Sequence, residues 1–178
     1  MKGRVSIALI GLPGSGKSTV GRQLARRLQL PFVDSDQVIE QQLGCSIRDY
    51  FEREGEDRFR DIEESVIDQL TQNQGSVLST GGGVVLRPAN RRHLRERGQV
   101  IYLNSSPDEL FRRLRHDVNR PLLQVANPLS RLRDLHALRD PLYRETAHFI
   151  VETGRPSVAT LVNMIVMQLE LAGVVPHS

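Results

Sequence analysis

Apolar and β-branched residues fill Val5 to Ile10, broken only by Ser6. That pattern suits a parallel strand buried on both faces. The period then changes to that of a helix over 17–28, where Val20, Leu24 and Leu28 share one face. Phe32-Val33 predicts a short second strand that ends at Asp34-Ser35-Asp36. Helices are expected over 36–43 and most of 46–73. Val77 to Thr80 predicts a third strand, closed by Gly81-Gly82-Gly83. A short basic helix, Asn90 to Arg97, leads into a fourth strand, Val100 to Leu103. Ser106-Pro107-Asp108 has the form of a helix start, with proline at the first helical position. Residues 116–128 hold two prolines and two asparagines and predict a loop. Leu129, Leu132, Leu135 and Leu138 form a helical stripe that should stop or kink near Pro141. Phe149 to Val151 is the fifth strand, and a last helix runs from about Ser157 to Leu171. Strands alternating with helices imply a three-layer α/β fold with a five-stranded parallel sheet. At 178 residues, one domain over 1–178 accommodates all of it.

The turn between the first strand and first helix carries the strongest chemical signal. Gly11-Leu12-Pro13-Gly14-Ser15-Gly16-Lys17-Ser18 fits G-x-x-x-x-G-K-[ST] at every fixed position. The glycines let backbone N–H groups close around phosphates, and the helix N-terminus adds a favourable partial charge. Lys17 then reaches the β- and γ-phosphates, while the Ser18 hydroxyl is placed to coordinate Mg²⁺.

Ligands of such sheets sit at the carboxyl edge, so the other strand ends matter next. Asp34 and Asp36 close the second strand, and in extended geometry residues i and i+2 point the same way. One carboxylate could orient or deprotonate an acceptor hydroxyl while the other helps hold the Mg²⁺ shell. Arg58 and Arg60 lie on one predicted helix but on different sides of it, so at most one faces the cleft. Gly81-Gly82-Gly83 exposes backbone to the close approach of a small molecule. Arg120 precedes Pro121, which favours an extended loop from which an arginine can close over phosphates.

Composition narrows the choice. Net charge is +3, yet Lys2 and Lys17 are the only lysines, and aromatic residues make up 4%. Residues 111–155 carry nine arginines against five acids. That surplus suits a polyanionic nucleotide better than nucleic acid, because stacking platforms are scarce. No apolar run reaches the roughly 18 residues of a membrane helix. Lys2 and Arg4 before Val5–Ile10 have the outline of a signal peptide, but the stretch is short and runs into the glycine-rich turn with no small-residue cleavage site. Cys45 is the single cysteine, so no internal disulfide forms, and a cytoplasmic location is expected.

Taken together the motifs resemble shikimate kinase over nearly the whole chain. The phosphate loop is common to many families. The specific signals are Asp34-x-Asp36, Phe51-x-x-x-Gly55-Glu56-x-x-Phe59-Arg60, Gly81-Gly82-Gly83, Arg120-Pro121-Leu122-Leu123 and Arg139-x-Pro141-Leu142-Tyr143, in that family's order and spacing. The resemblance implies a P-loop kinase fold like that of nucleoside-monophosphate kinases, with an acceptor-binding segment over about 35–62 and a lid over about 113–128. It implies transfer of the ATP γ-phosphoryl to the shikimate 3-hydroxyl, giving shikimate 3-phosphate and ADP on the route to chorismate and the aromatic amino acids. ATP would be held by Gly14, Ser15, Gly16, Lys17, Ser18, Thr19, Arg120 and Arg155. Shikimate would be held by Asp36, Arg60, Gly81, Gly82, Gly83 and Arg139, with both arginines on its carboxylate. Lys17, Asp34 and Arg120 would carry the catalysis. Mg²⁺ would bind Ser18 directly and Asp34 through water. A cytoplasmic monomer with two small-molecule substrates and no nucleic-acid partner is the expectation.

Three rival readings share some of these features: a gluconate or nucleoside-monophosphate kinase, a nucleotide-dependent RNA binder and a slow P-loop switch. Phe59-Arg60 together with Arg139 separates the first, since two arginines call for one carboxylate and leave no large base pocket.

Overall fold

The computed structural model describes residues 5–73, 75–115, 126–154 and 156–176. In chain order the elements are β1 (Ile7–Ile10), α1 (Lys17–Leu28), β2 (Phe32–Asp34), α2 (Ser35–Leu43), α3 (Ile47–Glu54), α4 (Glu56–Gln72), β3 (Val77–Ser79), a 3₁₀ turn (Val84–Leu86), α5 (Pro88–Arg97), β4 (Gln99–Asn104), α6 (Pro107–Leu114), α7 (Pro128–Thr146), β5 (Phe149–Glu152) and α8 (Val158–Leu171). The five strands form one parallel sheet in the order β2-β3-β1-β4-β5. The expected fold class is therefore the observed one.

Alternation along β1 explains the layers. Ile7 and Leu9 face one side, where they pack with Val20 and Leu24 of α1 and Leu161, Ile165 and Leu169 of α8. Ala8 and Ile10 face the other, against Leu94 of α5, Leu110 of α6, Leu132 and Tyr143 of α7 and Tyr102 of β4. A third, smaller core of Ile39, Phe59 and Val66 holds α2, α3 and α4 together beside the sheet. The segment expected to bind the acceptor thus has apolar packing of its own.

Helix ends follow local chemistry. Asp34, Ser46, Ser106, Asn127 and Ser157 each accept a backbone N–H as N-caps. Three boundaries differ from the sequence expectation. The helix over 46–73 is two helices, because Gly55 turns the chain at φ 89°. The helix after β2 opens at Ser35, so Asp36 lies in its first turn and not in extended chain. And α7 does not stop at Pro141 but runs to Thr146. Its leucine stripe also disperses: Leu132 is fully buried and Leu138 is 72% exposed. Steps of three residues rotate only about 300° per step, so a run of them drifts round the helix.

Three of the four arginines of the basic helix α5 bond within the fold. Arg91 donates to the Val85 carbonyl, Arg95 to the Ala147 carbonyl and Arg97 to the Asp68 carbonyl and carboxylate. Among the described residues no helix is long and apolar enough to cross a membrane.

Candidate active site

The phosphate loop departs from β1 through three glycines at positive φ: Gly11 at 152°, Gly14 at 86° and Gly16 at 91°. A side chain on Gly11 would also collide with the Leu103 carbonyl at 2.6 Å. At all three positions the left-handed backbone favours glycine over any other residue. Lys17 opens α1 and folds its ammonium back over the loop, with Nζ 2.7 Å from the Gly11 carbonyl and 3.0 Å from that of Leu12. Ser15 is buried, with an Oγ that has no partner among the described residues, and the helix has no acid in its first turn. The loop, with Ser18 and Thr19, lines a cavity of about 290 Å³ that is rich in N–H donors and carries one ammonium, a chemistry complementary to phosphate.

Asp34 and Asp36 occupy different parts of this region. Asp34 uses Oδ1 to cap α2 through the Asp36 N–H at 3.0 Å and Oδ2 to accept from Ser18 Oγ at 3.2 Å. Ser79, at the end of β3, sets its hydroxyl 3.4 Å from that of Ser18. These are hard oxygen donors of the kind Mg²⁺ takes alongside phosphate and water. Among the described residues no group of three or more His, Cys, Asp or Glu is arranged to hold a metal ion, so an ion at this point would depend on those hydroxyls and on phosphate oxygens. Asp36 instead lines both the phosphate cavity and a second, larger one of about 540 Å³. Burial, with the Asp34 and Glu63 carboxylates beside it, pushes its carboxyl up to about 6 from an ordinary 3.8.

The second cavity is lined by α3, α4, α7 and the triple glycine. Arg60 faces it with 12% of its side chain exposed, whereas Arg58 points outward at 71%. Arg139 reaches it from α7. None of Gly81, Gly82 and Gly83 has positive φ, so space, not conformation, requires glycine there. A Cβ on Gly81 would lie 2.8 Å from Asp36 Oδ1, one on Gly82 2.7 Å from Pro13 Cδ, and one on Gly83 2.3 Å from Arg60 Nη2. Each glycine makes room for a different neighbour of the cavity, which is a more specific reason than access for a ligand.

Lys17, Ser18, Asp34, Asp36, Arg60, Gly81, Gly82, Gly83 and Arg139 are therefore brought to one edge of the sheet, together with Gly14, Gly16 and Thr19. Arg120, Arg155 and residues 116–125 of the expected lid lie outside the described residues. Sequence reasoning missed Glu63, which is 1% exposed and takes Arg60 Nη1 at 2.8 Å. Burial raises its carboxyl against the pull of Arg60. Its signal was present: Phe59, Glu63, Val66, Ile67 and Leu70 share one helical face, and a carboxylate on an apolar stripe needs a partner. Ser79 was read only as strand. Arg113, placed in the lid, instead bridges the carbonyls of Gly14 and Thr153, which no spacing could indicate.

Comparison with known proteins agrees with this geometry. The family model described as Shikimate kinase matches residues 13–170. The shikimate kinase of Paracidovorax citrulli is 65% identical, over 98% of this chain and 97% of the relative. That of Ralstonia nicotianae is 60% identical, over 96% of this chain and 90% of the relative. A solved structure of shikimate kinase from Acinetobacter baumannii in complex with shikimate superposes with a TM-score of 0.90 at 45% identity, covering 96% of this chain and 94% of that one.

Proposed function

Because the chain belongs to the shikimate kinase family, we propose that it transfers the γ-phosphoryl group of ATP to the 3-hydroxyl of shikimate. The observation that carries this reading is the junction of the two cavities. Pro13, Asp36, Gly81 and Gly82 line both, so a phosphate donor on one side and a small acid on the other would meet at Asp36.

On the donor side the loop N–H groups and Lys17 bind the phosphates and offset the charge that spreads over the transferred group. Ser18 would hold Mg²⁺ directly, with Asp34 acting through water. When bound, the ion supplies charge neutralisation at the phosphates. Both oxygens of Asp34 already serve Ser18 and the α2 cap, which supports an orienting role for it. Asp36 accepts the hydroxyl proton in this reading, since it faces both cavities and its raised pKa leaves it a better base than an ordinary aspartate. On the acceptor side Arg60 and Arg139 grip the carboxylate through planar forks that a lysine cannot reproduce. Glu63 fixes Arg60. Arg120 from the lid and Arg155 near the adenine enter on family resemblance alone.

A monomer is the expected state. The single cysteine and the pathway favour the cytoplasm. The test is ADP release with ATP and Mg²⁺ against shikimate, gluconate, AMP and CMP. Shikimate alone should support turnover, without RNA. Equal rates with gluconate or a nucleotide would refute the assignment. Light scattering of the purified chain checks the monomer.

A further inference from the structure

Tyr143 on α7 is fully buried, yet its hydroxyl is not in contact with the hydrophobic core alone. It donates to the Gly82 carbonyl, and the Arg139 guanidinium, one helical turn earlier on α7, lies beside the same phenol. Arg139 Nη1 lies 3.4 Å from where a Cβ on Gly82 would stand, so the three groups close on one another. Their chemistry allows a single arrangement. A guanidinium only donates and a carbonyl only accepts, while a phenol does each once. With its proton given to Gly82, the phenol has only lone pairs to offer the guanidinium beside it. Burial pushes Tyr143 up to about 12, so it keeps that proton at working pH. The ring itself is held from behind. It packs on Tyr102 with centroids 4.8 Å apart, and Tyr102 donates to Asp140 at 2.8 Å.

Packing alone does not call for that hydroxyl, because phenylalanine would fill the same space. We propose that Tyr143 is a positioning residue for the acceptor: its phenol locks the Arg139 guanidinium to the peptide at Gly82, so that the fork meets the carboxylate already oriented. A side chain ordered in advance spares the ligand the entropy of ordering it. The inference rests on the assignment of Arg139 to the acceptor's carboxylate.

The experiment is a cycle of Tyr143→Phe, Arg139→Ala and the double variant, with KM measured for shikimate and for ATP. Tyr143→Phe should raise the shikimate KM about tenfold, the worth of one hydrogen bond to a charged group. The ATP KM should stay unchanged and kcat within about twofold, and in the Arg139→Ala background the penalty should vanish. Tyr102→Phe, which removes the bond to Asp140 but keeps the ring, should lower Tm without moving the shikimate KM. A Tyr143→Phe penalty that persists undiminished in the Arg139→Ala background, or a Tm loss with no change in KM, overturns the positioning role. If Arg139→Ala itself leaves the shikimate KM unchanged, the carboxylate assignment fails and the positioning role falls with it. An Arg139→Ala effect without a Tyr143→Phe effect removes only the latter.

Discussion

The two cavities are built in opposite ways. The phosphate side is built around one contiguous loop, with Pro13, Gly14 and Gly16 to Thr19 in its wall, and is closed by the ends of β2 and β3. Its glycines set the backbone and one lysine supplies the charge. The acceptor side is made of side chains from α3, α4, the triple glycine and α7, which are far apart in sequence. Main-chain recognition tolerates any ligand with phosphates, because every N–H is alike. Side-chain recognition is selective, because moving one guanidinium by an ångström changes what fits. On the proposed function, one chain therefore pairs a general donor site with a particular acceptor site.

Substitutions at the junction should have the largest effect. Asp36→Asn should lower kcat by about 10²–10⁴-fold, the range of a general base. It should also stabilise the fold. A carboxyl with its pKa raised to about 6 costs stability when ionised; that cost is full above pH 6 and is relieved as pH falls from 6 toward 3.8. Melting at pH 8 should therefore rise by a few degrees in Asp36→Asn, with no gain at pH 4. Asp34→Asn measured alongside decides the proton's destination: a deeper loss of kcat there would reverse the roles of the two aspartates.

On the donor side, Lys17→Ala should cost about 10²–10³-fold in kcat with any acceptor, as loss of an electrostatic stabiliser does. Retention of a tenth of wild-type kcat would break the distinction between the sites. On the acceptor side, Arg60→Lys and Arg139→Lys should raise the shikimate KM about tenfold or more and leave the ATP KM alone. An acceptor without its carboxylate should be poor for wild type and lose little more in either variant. Similar losses with both acceptors would count against the two-arginine grip. Gly83→Ala should resemble Arg60→Lys in its KM pattern, since the new Cβ displaces that guanidinium.

The smallest effect is expected outside both sites. His148 Nδ1 accepts the Val100 N–H at 3.0 Å, and burial, with the Arg95 charge, holds its pKa below the ordinary 6.5. That contribution to stability is complete above pH 6.5 and is lost as pH falls through the lowered folded pKa. His148→Leu should cost about 1 kcal/mol, or roughly 2–4 °C in Tm, and flatten the melting profile just below pH 6.5. Turnover at pH 8 should not change.

The contrast between the sites also explains what the sequence disclosed. All five strands and the phosphate loop were legible, because each is a contiguous pattern with a physical period or a fixed spacing. Asp34 and Asp36 were legible as a pair at a strand end, and family resemblance divided their roles; Arg60 and Arg139 were placed by family resemblance, helix geometry alone leaving Arg58 and Arg60 as alternatives. The break at Gly55 was missed because the apolar period continues on both sides of it. Of the stop or kink expected near Pro141, the stop does not occur, because the packing of Leu132 and Tyr143 on the sheet offsets what a proline costs inside a helix. The reason for three glycines was invisible, since it consists of Asp36, Pro13 and Arg60 arriving from elsewhere. So was the use of Arg91, Arg95 and Arg97 of α5 on main-chain carbonyls.

Pro13, Asp36, Gly81 and Gly82 form a seam between two otherwise separate halves. On the proposed function, a change to the cavity-facing residues of α3, α4 or α7 alters what is phosphorylated and leaves the phosphate loop as it was. A change in the seam alters both at once, because a side chain at residue 82 would press on Pro13 and widen the gap the phosphoryl group must cross. For directed evolution toward a new acceptor, those residues are the ones to hold constant, and the small core of Ile39, Phe59 and Val66 is the place to begin.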